Sequence, residues 1–137
     1  MSNTVTKKKL LIVDDDENHL ASLRAFLDEY YETVTASSGK YALELIDKGY
    51  VPNLVLLDII MPHMCGWEVY REMKAKNNFH DIPVVFYTYL SGGKEKKHAL
   101  AIGAVDFLVK PYKKDDLLQK IETIFASIEK ALKQEGI

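Results

Sequence analysis

The sequence predicts an α/β fold, in which a doubly wound parallel sheet of five strands carries helices on both faces. Two observations support this class. Five short apolar runs alternate along the chain with segments of helical periodicity, and three of these runs lack the polar alternation of a half-exposed strand. Parallel strands joined in this way need right-handed crossovers, which bring helices to both faces of the sheet.

The predicted strands are about four to six residues long and most are rich in aliphatic and aromatic side chains. They cover Leu10–Val13, Tyr31–Ala36, Leu54–Leu57, Pro83–Thr88 and Asp106–Val109. The second run alternates polar and apolar residues, so we expect it to lie at an edge of the sheet.

A helical pattern follows each predicted strand. Leucines recur at helical spacing in the first helix, and Ser38 is predicted to cap the second. Trp67 marks the third helix, and Gly103 is predicted to end the fourth in a left-handed conformation. The fifth helix carries an apolar stripe that ends at Leu132, which extends it beyond the needs of the sheet.

The chain of 137 residues predicts one domain over residues 1–126, with residues 127–137 as a C-terminal extension of the last helix. That extension fits a dimer seam, a linker or a simple overhang, and we expect a monomer or a weak homodimer. A net charge of −2 gives no electrostatic reason to bind nucleic acid or an anionic membrane. The sequence shows no signal peptide or membrane span and has one cysteine, so we expect a cytoplasmic protein.

Polar side chains follow four of the five strands, at the edge where ligands bind in doubly wound sheets. They are Asp14, Asp15 and Asp16 after the first strand, Asp58 after the third, Thr88 at the end of the fourth and Lys110 after the fifth. Taken singly, Asp16 is expected to cap a helix, and Asp58 also fits a turn. Their joint placement at four strand ends favours a single site.

Crowded carboxylates repel one another unless a cation lies between them. A hard divalent ion suits an all-oxygen site, so we expect Mg²⁺ beside Asp14, Asp15 and Asp58, with Lys110 bringing the site near neutrality. An aspartate in such surroundings can attack phosphorus and form an aspartyl phosphate.

At these residues the sequence closely resembles the response-regulator receiver family of two-component and phosphorelay signalling. The matching stretches are Leu10–Asp16, Leu54–Pro62 with Gly66, Ile82–Thr88 and Gly103–Pro111. The resemblance extends from about Lys9 to about Ile124. It implies a CheY-like, flavodoxin-like sheet with the strand order 2-1-3-4-5.

The resemblance also implies a role for each residue of the site. Asp58 would accept a phosphoryl group from a phosphohistidine on a histidine kinase or a histidine phosphotransfer protein. Mg²⁺ would be held by Asp14, Asp15 and Asp58 together with the backbone carbonyl of Ile60. Of the acids, Asp15 would be the most direct ligand.

Thr88 and Lys110 would each contact a phosphoryl oxygen. Phe107 occupies the aromatic switch position of the family, and Pro111 follows the lysine through a peptide bond that is cis in the family. The switched face would be the fourth helix, fifth strand and fifth helix, at about residues 94–119. The sequence does not identify the downstream protein that reads this face.

One position departs from the family pattern. The residue after Thr88 is usually small, and here it is Tyr89. A phenol at this position could crowd the phosphorylation site or mark a partner surface. It could also be an exposed aromatic that lies across the end of the strand.

Two other functions fit parts of the pattern. A haloacid-dehalogenase-type phosphatase also uses an aspartyl phosphate and Mg²⁺, but it would need Asp14 and Asp16 as its Asp-x-Asp pair. Asn18 then stands where a threonine or valine is expected. A phosphorylation-independent interaction module is supported only by Tyr89. Apart from Mg²⁺-dependent phosphorylation and dephosphorylation of Asp58 itself, we expect no enzymatic activity.

Overall fold

A computed structural model of the protein describes residues 6–76 and 79–135. Within these ranges five strands alternate with five helices. They are β1 (Lys9–Val13), α1 (Glu17–Leu27), β2 (Glu32–Ala36), α2 (Gly39–Asp47), β3 (Leu54–Leu57), α3 (Gly66–Lys74), β4 (Val84–Thr88), α4 (Gly93–Ala101), β5 (Asp106–Val109) and α5 (Lys114–Glu135). The predicted strands agree with the observed ones to within one residue at each end.

The strands form one parallel sheet with the order β2-β1-β3-β4-β5, which confirms the predicted topology. β2 lies at an edge, as its alternating sequence predicted. β1 and β3 are neighbours at the point where the chain changes direction across the sheet, and Val13 pairs with Leu57. The residues that follow them, Asp14 and Asp58, are therefore brought together by the topology.

Helices cover both faces of the sheet, which explains why the central strands lack polar alternation. The side chains of Leu11 and Val13 join a core with α2, α3 and α4. Leu10 and Ile12 point to the other face and pack with α1 and α5. All four side chains are fully buried.

Three predicted helix ends are confirmed. The Asp16 carboxylate accepts hydrogen bonds from the backbone N–H groups of Asn18 and His19 at the start of α1, both at 3.1 Å. The Ser38 hydroxyl accepts from the Tyr41 N–H at 3.1 Å and caps α2. Gly103 follows α4 with φ 110°, a left-handed conformation that glycine adopts at little cost.

The last helix extends past the sheet. α5 has 22 residues; Leu117 and Ile121 are buried in the core, whereas Leu132 is 61% exposed. The predicted extension over residues 127–137 is helical as far as Glu135, and Gly136 and Ile137 lie outside the described residues. Its status as a separate unit stays a prediction. None of the helices in the described ranges combines the length and the hydropathy needed to cross a membrane.

We expect Gly66→Ala to destabilise the fold, because α3 starts in direct contact with the end of β3. A Cβ atom on Gly66 would lie 2.7 Å from the Cα of Ile59 and closer still to the carbonyl oxygen of Asp58. Backbone atoms must shift to make room, which costs about 2 kcal/mol of the free energy of unfolding, measured with urea.

Gly93→Ala is the matched control for this substitution. Gly93 is also the first residue of its helix, but a Cβ atom there would meet no atom within 4 Å. Its stability should be equal to or slightly above that of the wild type. A Gly66→Ala protein as stable as this control would contradict the prediction.

Candidate functional site

Three aspartates gather at the C-terminal ends of β1 and β3. Asp14, Asp15 and Asp58 each offer a carboxylate oxygen, and these oxygens lie within 4.8 Å of one another. Asp14 and Asp58 are buried, whereas Asp15 is exposed at the mouth of the cluster. Three carboxylates without a soft or nitrogen donor are the ligands that a hard cation such as Mg²⁺ prefers, so the donor set fits the predicted metal.

Lys110 reaches these acids from the end of β5. Its Nζ atom lies 2.8 Å from Asp14 Oδ2 and 3.2 Å from Asp58 Oδ2. The backbone N–H of Lys110 also donates to the backbone carbonyl of Thr88 at 2.7 Å. This bond fixes the start of the lysine side chain beside β4. The Lys110–Pro111 peptide bond is cis, as the resemblance implied.

Asp14 is held as an anion. Burial raises the pKa of its carboxyl group, but hydrogen bonds from His19 and Lys110 outweigh that effect. The pKa therefore lies well below the ordinary value for aspartate. The charge on Asp14 in turn keeps Lys110 protonated: burial would lower the pKa of the lysine, but its contacts with Asp14 and Asp58 raise it.

The ionised carboxylate of Asp58 is less well stabilised than that of Asp14. Burial raises the pKa of its carboxyl group, the positive charge of Lys110 lowers it, and the negative charge of Asp14 raises it again. The net pKa lies above the ordinary value. Asp58 accepts only long hydrogen bonds within the described chain, 3.3 Å from the Ile60 N–H and 3.2 Å from Lys110.

The other predicted site residues lie around this cluster. Thr88 is fully buried, and its hydroxyl accepts a hydrogen bond of 3.4 Å from the Leu90 N–H. Phe107 is buried in the core between the sheet and α4. Tyr89 is 69% exposed, yet its ring centroid lies 5.2 Å from the Lys110 ammonium.

Three side chains that the sequence did not identify contact or approach Asp14. The Tyr87 hydroxyl donates to Asp14 Oδ2 at 3.0 Å, and His19 Nδ1 lies 2.8 Å from the same oxygen. The Tyr112 hydroxyl lies 3.2 Å from His19 Nε2. One signal was available: a tyrosine within a strand buried on both faces needs a partner for its hydroxyl, and the nearest strand ends carry acids.

The fold and the acidic cluster define a CheY-like protein. The solved structure of the chemotaxis protein CheY4 of Vibrio cholerae matches with a TM-score of 0.80 and 27% identity, over 86% of this chain and 98% of that one. The family model described as "Response regulator receiver domain" matches residues 10–122, and the chain therefore belongs to this family.

Curated relatives share this segment within longer proteins. A "Probable cyclic di-GMP phosphodiesterase" of Vibrio cholerae is 39% identical over 83% of this chain, and "Response regulator PleD" of Caulobacter vibrioides is 40% identical over 80%. The matched segments are 26% and 24% of those proteins. The chain thus spans about a quarter of their length.

We expect Asp58→Asn to stabilise the metal-free protein at neutral pH. Because the folded-state pKa of Asp58 is raised, its ionised form destabilises the fold once the pH exceeds the ordinary aspartate pKa of about 3.9. The free energy of unfolding of Asp58→Asn at pH 7 should exceed that of the wild type, and the difference should vanish near pH 3, where both side chains are neutral.

Urea unfolding across this pH range measures the difference between the two proteins. Asp81→Asn is the control, since the Asp81 side chain is 93% exposed and should change stability little at any pH. An Asp58→Asn protein less stable than the wild type at pH 7 would refute this account of the site.

Proposed function

We propose that the protein is a phosphoacceptor in which Asp58 takes a phosphoryl group from a phosphohistidine on a histidine kinase or a histidine phosphotransfer protein. The observation that carries this proposal is the contrast between the two buried acids. Asp14 accepts four hydrogen bonds of 2.8 to 3.0 Å, whereas Asp58 accepts two of 3.2 to 3.3 Å. Asp58 therefore keeps lone pairs free for attack, and its raised pKa makes it the more basic oxygen nucleophile.

In the transfer step, a carboxylate oxygen of Asp58 forms a bond to phosphorus as the bond between phosphorus and the histidine nitrogen breaks. Lys110 lies close enough to pair with the phosphoryl oxygens, since its Nζ atom is already 3.2 Å from Asp58 Oδ2. Its protonated ammonium offsets the negative charge of the transferring group.

The residues that would hold Mg²⁺ in this proposal are Asp14, Asp15 and Asp58, with the backbone carbonyl of Ile60. A bound Mg²⁺ would neutralise charge on the phosphoryl oxygens during transfer. It would also relieve the repulsion between Asp14 and Asp58, which contributes to the raised pKa of Asp58.

The switch in this proposal begins at Thr88. Its hydroxyl bonds the Leu90 N–H across 3.4 Å, so turning toward a phosphoryl oxygen would release Leu90 and change the loop before α4. Phe107, which packs in the core near α4, would respond to that change. The affected face is α4, β5 and α5, with a coupling of about 1–3 kcal/mol, typical of allosteric proteins.

The alternative functions have less support. In a haloacid-dehalogenase-type phosphatase Asp16 would face the reacting group, but here its carboxylate caps α1. A phosphorylation-independent module would not need the contacts that join Lys110 to both buried acids. The cytoplasmic location, the monomeric or weakly dimeric state and the lack of nucleic-acid binding stay predictions from the sequence.

Incubation with acetyl phosphate and Mg²⁺ should add one phosphoryl group to the wild-type protein, as measured by intact-mass spectrometry. Asp58→Asn should abolish this addition while circular dichroism shows an unchanged fold. Asp81→Asn, with its exposed side chain, should be labelled like the wild type. Labelling of Asp58→Asn, or labelling in the presence of EDTA, would disprove the assignment.

We expect Tyr89→Ala to raise both the rate of phosphorylation and the rate of dephosphorylation by about two- to ten-fold. The exposed ring lies 5.2 Å from the Lys110 ammonium, which itself contacts both buried acids. Its removal opens the site to donor and water at little cost to the fold. Tyr89→Phe keeps the ring and should retain the wild-type rates; equal rates for Tyr89→Ala and the wild type would exclude this role.

A further inference from the structure

We propose that Tyr87 and His19 are positioning residues that keep Asp14 bonded while Lys110 turns from Asp14 to the phosphoryl group. This inference rests on the proposed phosphorylation of Asp58. It assigns a part in that reaction to two side chains outside the acid and lysine set, one on β4 and one on α1.

The contacts converge on a single oxygen. Asp14 Oδ2 accepts from Tyr87 at 3.0 Å, lies 2.8 Å from His19 Nδ1, and accepts from Lys110 at 2.8 Å. The other oxygen, Oδ1, accepts from the Asp16 N–H at 3.0 Å. The Asp14 side chain is 1% exposed, so its hydrogen-bond donors come from the protein.

The orientation of the imidazole follows from its partners. The Asp14 carboxylate can only accept, so His19 Nδ1 carries a hydrogen and donates it. The Tyr112 hydroxyl, 3.2 Å from His19 Nε2, keeps the ring in that orientation. The rings of His19, Tyr87 and Tyr112 also lie within 6.4 Å of one another, centroid to centroid, which limits their movement.

Lys110 has one ammonium and two anionic partners, Asp14 at 2.8 Å and Asp58 at 3.2 Å. Pairing with a phosphoryl group on Asp58 draws the ammonium away from the closer partner. The proposed Mg²⁺ would still offset the charge of Asp14, but the buried Oδ2 atom loses a donor, which is disfavoured unless other donors remain. Tyr87 and His19 supply those donors from β4 and α1, whereas the lysine follows β5.

Tyr87 offers a clean substitution, because its ring and its hydroxyl have separate contacts. The ring centroid lies 4.5 Å from Lys110 Nζ, and the side chain is 1% exposed within β4. Tyr87→Phe keeps this ring and its packing and removes only the donor to Asp14. Asp14 then depends more on Lys110, and the lysine is released less readily.

The experiment measures two quantities for each protein: the maximum rate of labelling by acetyl phosphate at saturating Mg²⁺, and the Kd for Mg²⁺ by calorimetry without phosphodonor. For Tyr87→Phe we expect the maximum rate to fall about ten-fold, the size expected for one hydrogen bond to a charged group. The Kd for Mg²⁺ should change less than two-fold, because Lys110 still holds Asp14 before transfer.

His19→Phe is the second variant and keeps the test informative if Tyr87→Phe folds poorly. The His19 side chain is 27% exposed, so the fold should tolerate the change. The same pattern is expected: a lower maximum rate with an unchanged Kd. Tyr31→Phe is the control, since Tyr31 is also buried but lies before β2, at the opposite end of the sheet.

The outcomes separate this inference from the function on which it rests. A wild-type protein that binds Mg²⁺ but is not labelled would overturn both. Labelling of the wild type with equal maximum rates in Tyr87→Phe and His19→Phe would overturn only the positioning role. A parallel loss of Mg²⁺ affinity and rate would also overturn it, because Tyr87 and His19 would then support the metal site and not the release of the lysine.

Discussion

One ammonium group shared by two buried carboxylates is the interaction on which the site depends. Lys110 lies between Asp14 and Asp58, and neither acid could remain ionised at its depth without a cation nearby. The sheet produces this contact, because β1 and β3 are neighbours and β5 ends on the same side. The two acids then differ by their remaining partners. Asp14 accepts four hydrogen bonds, whereas Asp58 accepts only two longer ones within the described chain and keeps oxygen lone pairs free to react.

The sequence was sufficient to predict the sheet and the position of the site. A strand buried on both faces lacks polar alternation, so Leu10–Val13, Leu54–Leu57 and Pro83–Thr88 could be recognised as strands of this kind in the sequence. In a doubly wound sheet the residues after such runs share one edge, which brings Asp14, Asp58 and Lys110 together without knowledge of any distance. The cap at Asp16 could be predicted for a similar reason, since it depends only on neighbouring residues.

The sequence was not sufficient to predict the contacts that distinguish one acid from the other. His19 reaches Asp14 only because α1 begins after the Asp16 cap and turns that position toward the sheet. The Tyr87 hydroxyl could have met any polar group near the end of β4. The hydrogen bond between Thr88 and Leu90 depends on the conformation of a loop. Contacts of this kind depend on backbone direction and rotamer, which residue spacing does not specify.

The length of α5 has a mechanical consequence. Its 22 residues correspond to about 33 Å of helix, and it begins four residues after Lys110. Leu117, Ile121 and Phe125 hold its first half in the core, and Leu132 lies in solvent. The ten residues after Phe125 correspond to about 15 Å of helix. A bend of about 10° after Phe125 would move the last turn by about 3 Å, so the exposed end can change position while the half beside the lysine stays packed.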